Sequence, residues 1–100
     1  MVKHIILWQL KDEITGSEKA TIISNIKTNL EGLVGIVPGL ISLTIQTEHL
    51  ASSNADIMLD STLESEDALK GYAIHPNHVA VANTFVRPFV KTRLCLDYNI

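Results

Sequence analysis

The first ten residues carry an apolar run with almost no interruption. VKHIILWQL, residues 2–10, is rich in β-formers and reads as a strand covered on both faces. Alternation places His4, Ile6, Trp8 and Leu10 on one side and Lys3, Ile5, Leu7 and Gln9 on the other. Lys11-Asp12-Glu13 is a polar exit. The pattern then changes period. Ile22, Ile23, Ile26, Leu30, Leu33 and Val34 recur at helical spacing, and Thr15-Gly16-Ser17-Glu18 has the form of a capping box ahead of them. This helix is expected to end near Gly35, with Pro38-Gly39 as a turn. Leu40 to Glu48 reads as a strand in which Ile41, Leu43 and Ile45 point one way and Ser42, Thr44 and Gln46 the other. A polar connection, residues 49–54, leads to a third strand over 55–62. Ser65 is a suitable N-cap for a second helix, with Glu66 and Asp67 in its first turn. That helix must stop at His75, because Pro76 disfavours helical angles in the residue before it. Pro76 then suits the first turn of a new segment reaching about Arg87. A last strand covers 89–98.

The order is β-α-β-β-α-β, with the second helix broken at His75-Pro76. This pattern predicts an α+β protomer of ferredoxin-like type: a four-stranded antiparallel sheet with both helices on one face. The strands are nevertheless apolar at both parities, as Leu7 beside Trp8 and Leu94 and Leu96 beside Phe89 and Cys95 show. A second apolar face calls for a second cover. The simplest is the same sheet from another copy across a two-fold axis, since soluble monomers rarely leave a large apolar patch in water. A ligand-filled groove in a monomer is the alternative.

Composition narrows the classes. With 100 residues, 46% hydrophobic and 19% charged, the chain reads as one folded domain over residues 1–100. A net charge of −3 argues against a nucleic-acid surface. No apolar stretch approaches the ~20 residues that span a membrane, and no cleavage pattern follows Ile5–Trp8. The single cysteine, Cys95, rules out an intrachain disulfide; it reads as a small buried residue and points to a cytoplasmic setting.

The one dense group of chemically capable residues is Tyr72-Ala-Ile-His75-Pro76-Asn77-His78. Histidine is the usual acid or base near neutral pH, and a tyrosine hydroxyl can orient a substrate oxygen. The bland alternatives are that His75 caps the segment after it and that Tyr72 is a core aromatic. His4 shares the Trp8 side of the first strand, where a lone histidine is more often a satisfied core residue. Asp60 and Asp97 lie in or near strands, and a carboxylate there can orient a histidine. No metal-ligand spacing, phosphate-binding glycine loop or nucleophile elbow is present.

Taken together, Val2-Lys3-His4-Ile5-Ile6-Leu7, the Lys11-Asp12-Glu13 exit, Ile36-Val37-Pro38-Gly39, the Tyr72–Val79 segment and the closing Leu96-Asp97-Tyr98 resemble the stress-responsive A/B barrel (Dabb) family over essentially the whole chain. The resemblance implies a ferredoxin-like protomer and a homodimer whose two sheets form a dimeric α/β barrel. The family includes a plant polyketide cyclase that needs no cofactor. By position, the resemblance implies His78 as acid/base, Tyr72 as its helper and His4 on the pocket wall. Trp8, on the His4 side of the first strand, and His75 are further substrate-binding candidates. The cyclase has another pocket tyrosine in its first helix, where this chain has Ile26. Some relatives hold magnesium on backbone carbonyls after the first helix, here near Val34, Val37 and Leu40. Three readings follow: a cyclase or lyase acting on a small carbonyl or polyketide-like compound, a non-catalytic small-molecule-binding or stress-response protein, and, by fold analogy alone, a cofactor-free monooxygenase.

Overall fold

The computed structural model describes residues 1–100 and orders them as β1 (Val2–Leu10), α1 (Gly16–Glu31), β2 (Leu40–Gln46), β3 (Ile57–Leu63), α2 (Glu66–Ile74), α3 (Pro76–Val81) and β4 (Val90–Asn99). Between α3 and β4 the chain makes a π turn, Ala82–Val86, and a 3-10 turn, Arg87–Phe89. The strands form one antiparallel sheet in the order β2-β3-β1-β4. The α+β, ferredoxin-like arrangement expected from the sequence is therefore the one observed.

Alternation along β1 sorts the two faces of the sheet. Val2, His4, Ile6, Trp8 and Leu10 are buried beneath the helices, while Lys3, Ile5, Leu7 and Gln9 are only half-buried on the open face. The ladder carries this division outward. Leu7 pairs with Leu94 and Met58, and Ile5 with Leu96 and Asp60. Leu94 is 69% exposed and Leu96 62%, so the open face presents a bare apolar patch. Asp60 also lies on this face, where it meets the Lys3 ammonium at 2.5 Å. Beneath the helices, Ile22, Ile26 and Leu30 of α1 pack with Ile6, Leu43, Leu59 and Leu63 of the sheet.

Several boundaries differ from expectation for local reasons. Thr15 makes no capping hydrogen bond. Gly16 enters α1 at φ 60°, which takes the Thr15 side chain off the capping position. Ser65, by contrast, accepts from the Ala68 N–H at 3.1 Å as expected. In β2 the ladder slips between Leu40 and Ser42. Ile41 is the extra residue and points outward, 45% exposed, and Leu40 takes the inward place expected of it. In β4 the strand starts at Val90, so Phe89 stays in the preceding turn. Cys95, expected to be buried, is exposed on this strand, because β4 is an edge that the helices do not reach.

The turn into β2 has one residue with no freedom to change. Gly39 sits at φ 80°, and a Cβ there would lie 2.6 Å from the Cβ of Ala68 in α2. Gly39→Ala should destabilise the fold by roughly 2–5 kcal/mol, from left-handed strain plus the overlap. Urea unfolding of the two proteins measures this; an unchanged midpoint would mean that the turn relaxes around the methyl group.

Candidate active site

The break at Pro76 builds the site. Proline has no N–H to give the Tyr72 carbonyl, which accepts from His75 N instead at 3.2 Å. His75 lies at φ −61°, ψ 132°, outside the helix, and its Nδ1 accepts from the Asn77 N–H at 3.1 Å. In an unbroken helix that N–H would have gone to Ala73. The freed Ala73 carbonyl takes a bond from Nδ1 of His78 instead, at 3.2 Å. A carbonyl can only accept, so Nδ1 carries the proton and Nε2 keeps its lone pair. His75, expected to line the site, is therefore not on the cavity wall; it caps α3 and thereby helps orient His78.

A cavity of about 480 Å³ lies between α2–α3 and the sheet, and His4, Trp8, Tyr72 and His78 all line it. The Tyr72 and His78 rings stand 4.2 Å apart at 34°. His4 meets Tyr72 edge-on at 5.9 Å. Tyr72 is 2% exposed, and its hydroxyl has no hydrogen-bond partner in the protein. An orphaned buried polar atom is rare and calls for an explanation. Burial also pushes its pKa up to about 12, against the opposing pull of Arg93, so the phenol stays protonated and can donate. Burial pushes the His78 pKa down from the usual imidazole range, with Arg87, His4 and Arg93 adding to it and the Ala73 bond opposing. A neutral base thus faces a protonated donor across one cavity.

On the sheet side, His4 Nδ1 meets Asp97 Oδ1 at 2.5 Å. The carboxylate accepts, so His4 Nδ1 carries a proton. Of the two carboxylates considered from sequence, Asp97 thus orients a histidine, and Asp60 lies on the opposite face with Lys3. Ile26, the residue set by resemblance against the family cyclase's helix tyrosine, is fully buried in the core and does not line the cavity. The sequence reading missed Arg87 and Arg93, which also line it. Arg93 shares the parity of Cys95 and Asp97 and sits opposite Trp8 in the ladder, but that pairing is legible only once the register is known.

Two groups bear on metal binding. His4, Cys95 and Asp97 place their ligand atoms within 4.8 Å of one another. They already bond among themselves, with the Cys95 thiol 3.4 Å from Asp97. Partial burial and the Asp97 carboxylate push the thiol pKa up, which works against the thiolate a metal would need. The carbonyls of Val34, Val37 and Leu40 suit a hard cation in kind. The Val37 carbonyl accepts the Leu40 N–H at 3.3 Å and keeps its second lone pair. None of the three lines the cavity, so an ion held there would brace the α1–β2 loop, apart from the His/Tyr chemistry.

Comparison with known proteins agrees with this architecture. The chain is 31% identical to olivetolic acid cyclase of Cannabis sativa over 101 residues, covering 98% of this chain and 95% of that protein. It is 29% identical to a stress-response A/B barrel domain-containing protein of Arabidopsis thaliana, covering 98% of this chain and 36% of that one. A crystal structure of a dimeric protein of unknown function and ferredoxin-like fold from Bacteroides fragilis superposes with a TM-score of 0.92 at 28% identity, covering 99% of this chain and 95% of that one. No helix is long and apolar enough to cross a membrane. The family described as Stress responsive A/B Barrel Domain matches residues 2–100, and the chain belongs to it.

Proposed function

We propose that this protein is a cofactor-independent cyclase or lyase that acts on a small carbonyl or polyketide-like compound, working as a homodimer. The observation that carries the reading is the buried, unpartnered Tyr72 hydroxyl beside the His78 ring in a cavity large enough for such a ligand. His78 Nε2 is the base. It takes a proton from the carbon next to a carbonyl, and the Tyr72 O–H donates to the enolate oxygen that forms. The enolate then attacks a second carbonyl of the same molecule, or expels a leaving group, and the His78 imidazolium returns the proton. His4, held by Asp97, lines the opposite wall and can donate or accept through Nε2. The similarity to olivetolic acid cyclase supports the same class of chemistry. The homodimer rests on the bare apolar sheet face and on the dimeric Bacteroides fragilis relative.

The test is turnover of a linear poly-β-keto acid, with ring-closed product followed by mass spectrometry. Product should form well above the protein-free rate. Tyr72→Phe should lower kcat about 10²-fold, the scale of one lost oxyanion donor. Folding stability should not fall, since no protein hydrogen bond is lost. An equal rate in Tyr72→Phe, or no catalysis by the unaltered protein, would sink the proposed mechanism.

A further inference from the structure

Arg87 and Arg93 are the only residues of fixed charge that line the cavity; no carboxylate does. Neither guanidinium takes part in any of the protein's salt bridges. Arg87 bonds only to the neutral Asn83 amide, at 2.6 Å. Arg93 projects from β4, the sheet edge, on the same face as Trp8, its partner in the ladder. The placement is graded. Both arginines are exposed, while Trp8 and Tyr72 are 6% and 2% exposed. Positive charge therefore stands at the mouth, and aromatic and aliphatic surface forms the floor. Ten of the fourteen lining residues are hydrophobic, including Ile6, Leu30 and Leu59. Two cations without a carboxylate partner beside a mostly apolar cavity make a site of mixed character, and the Tyr72 hydroxyl adds an unpartnered donor within it.

We propose that the cavity selects small apolar molecules bearing one carboxylate, with Arg93 and Arg87 holding the carboxylate at the mouth and the apolar body reaching Trp8 and Tyr72. The guanidinium fork matches a planar carboxylate with two parallel hydrogen bonds. The pull of Arg93 on the Tyr72 phenol places its charge within electrostatic reach of the inner groups. This deepens the cyclase or lyase reading and rests on it for the cavity's role; it adds which substrates the cavity admits.

Trp8 is the protein's only tryptophan and lines the cavity, so its fluorescence reports occupancy directly. The probes are 4-butylbenzoate and 4-butylbenzamide, which share a shape and differ in charge. The acid should bind the unaltered protein about 10- to 100-fold more tightly than the amide, the range expected of a charge-assisted hydrogen bond. That preference should shrink as salt is added. Arg93→Leu should remove most of it, and Arg93→Lys should restore part. Arg93 is exposed and forms no salt bridge, so these variants leave the core untouched. Equal binding of acid and amide by the unaltered protein would overturn the carboxylate proposal and leave the cavity as a ligand site. A preference that survives both Arg93→Leu and Arg87→Leu would overturn the role of the arginines. Binding of neither probe would overturn the proposal and the reading of the cavity as a ligand site together.

Discussion

Leu96→Asp should convert the protein from a dimer to a monomer. Sedimentation equilibrium at micromolar concentration should give about twice 11.0 kDa for the unaltered chain and 11.0 kDa for the variant. Leu96 pairs with Ile5 across the ladder and is 62% exposed in the protomer, on the β4 side of the open sheet face. Covering a large aliphatic side chain is worth about 1.5–3 kcal/mol, and several line this face. An aspartate in its place loses that gain and adds the cost of desolvating an unpaired charge, several kcal/mol more. The two effects together exceed what a micromolar dimer can absorb, so dissociation should be complete. Ile74→Asp is the control. Ile74 is 78% exposed at the end of α2, on the helical side, and its substitution should leave the dimer whole. A Leu96→Asp protein that keeps the dimer mass would show that the open face is not the interface.

His78→Ala should reduce kcat/KM about 10²- to 10⁴-fold with the fold retained, the range of a lost general acid–base group. The pH profile of the unaltered protein identifies the group. The base must be neutral to accept a proton, and burial holds the folded pKa below the usual 6.5. Activity should therefore persist below pH 6.5 and fall once pH passes through the lowered value. Stability follows the same direction. A histidine whose folded pKa is depressed binds fewer protons folded than unfolded in this window, so its contribution is full above pH 6.5 and is lost as pH falls toward the folded value. His78→Gln should flatten that part of the stability profile. A rate that keeps its acidic limb in His78→Gln would assign the limb to another group.

The architecture was legible because each element announced itself locally. Alternation in β1, helical spacing from Ile22 to Leu33 and the Ser65 cap each name one element without help from the rest. The break at His75-Pro76 was equally plain, since it follows from proline's missing N–H. What escaped was set by register and by competition between neighbours. The outward Ile41 depends on a one-residue slip against β3, invisible in a run that alternates well on paper. The Thr15 cap fails because the next residue is a glycine free to turn left-handed. Within the site, Tyr72, His78, His4 and Trp8 come together, three of them chosen partly by family resemblance. His75 was misplaced because its ring is taken up by the Asn77 N–H. Arg93 was missed because nothing local to β4 says which strand it will face.

The π turn at Ala82–Val86 holds one residue more than an α-helix of the same span would. Ala82, Val86 and Arg87 all reach the cavity from this turn or from its exit. Cutting a single residue from it would let α-helical winding run on and would swing everything downstream by about a quarter turn, at 3.6 residues per turn. Arg87 would leave the mouth while Tyr72 and His78, upstream, stayed where they are. An insertion or deletion at that point should change ligand preference and leave the Tyr72–His78 pair in place. Relatives that differ by one residue between the His78 segment and the last strand should therefore share a reaction type and diverge in what they admit.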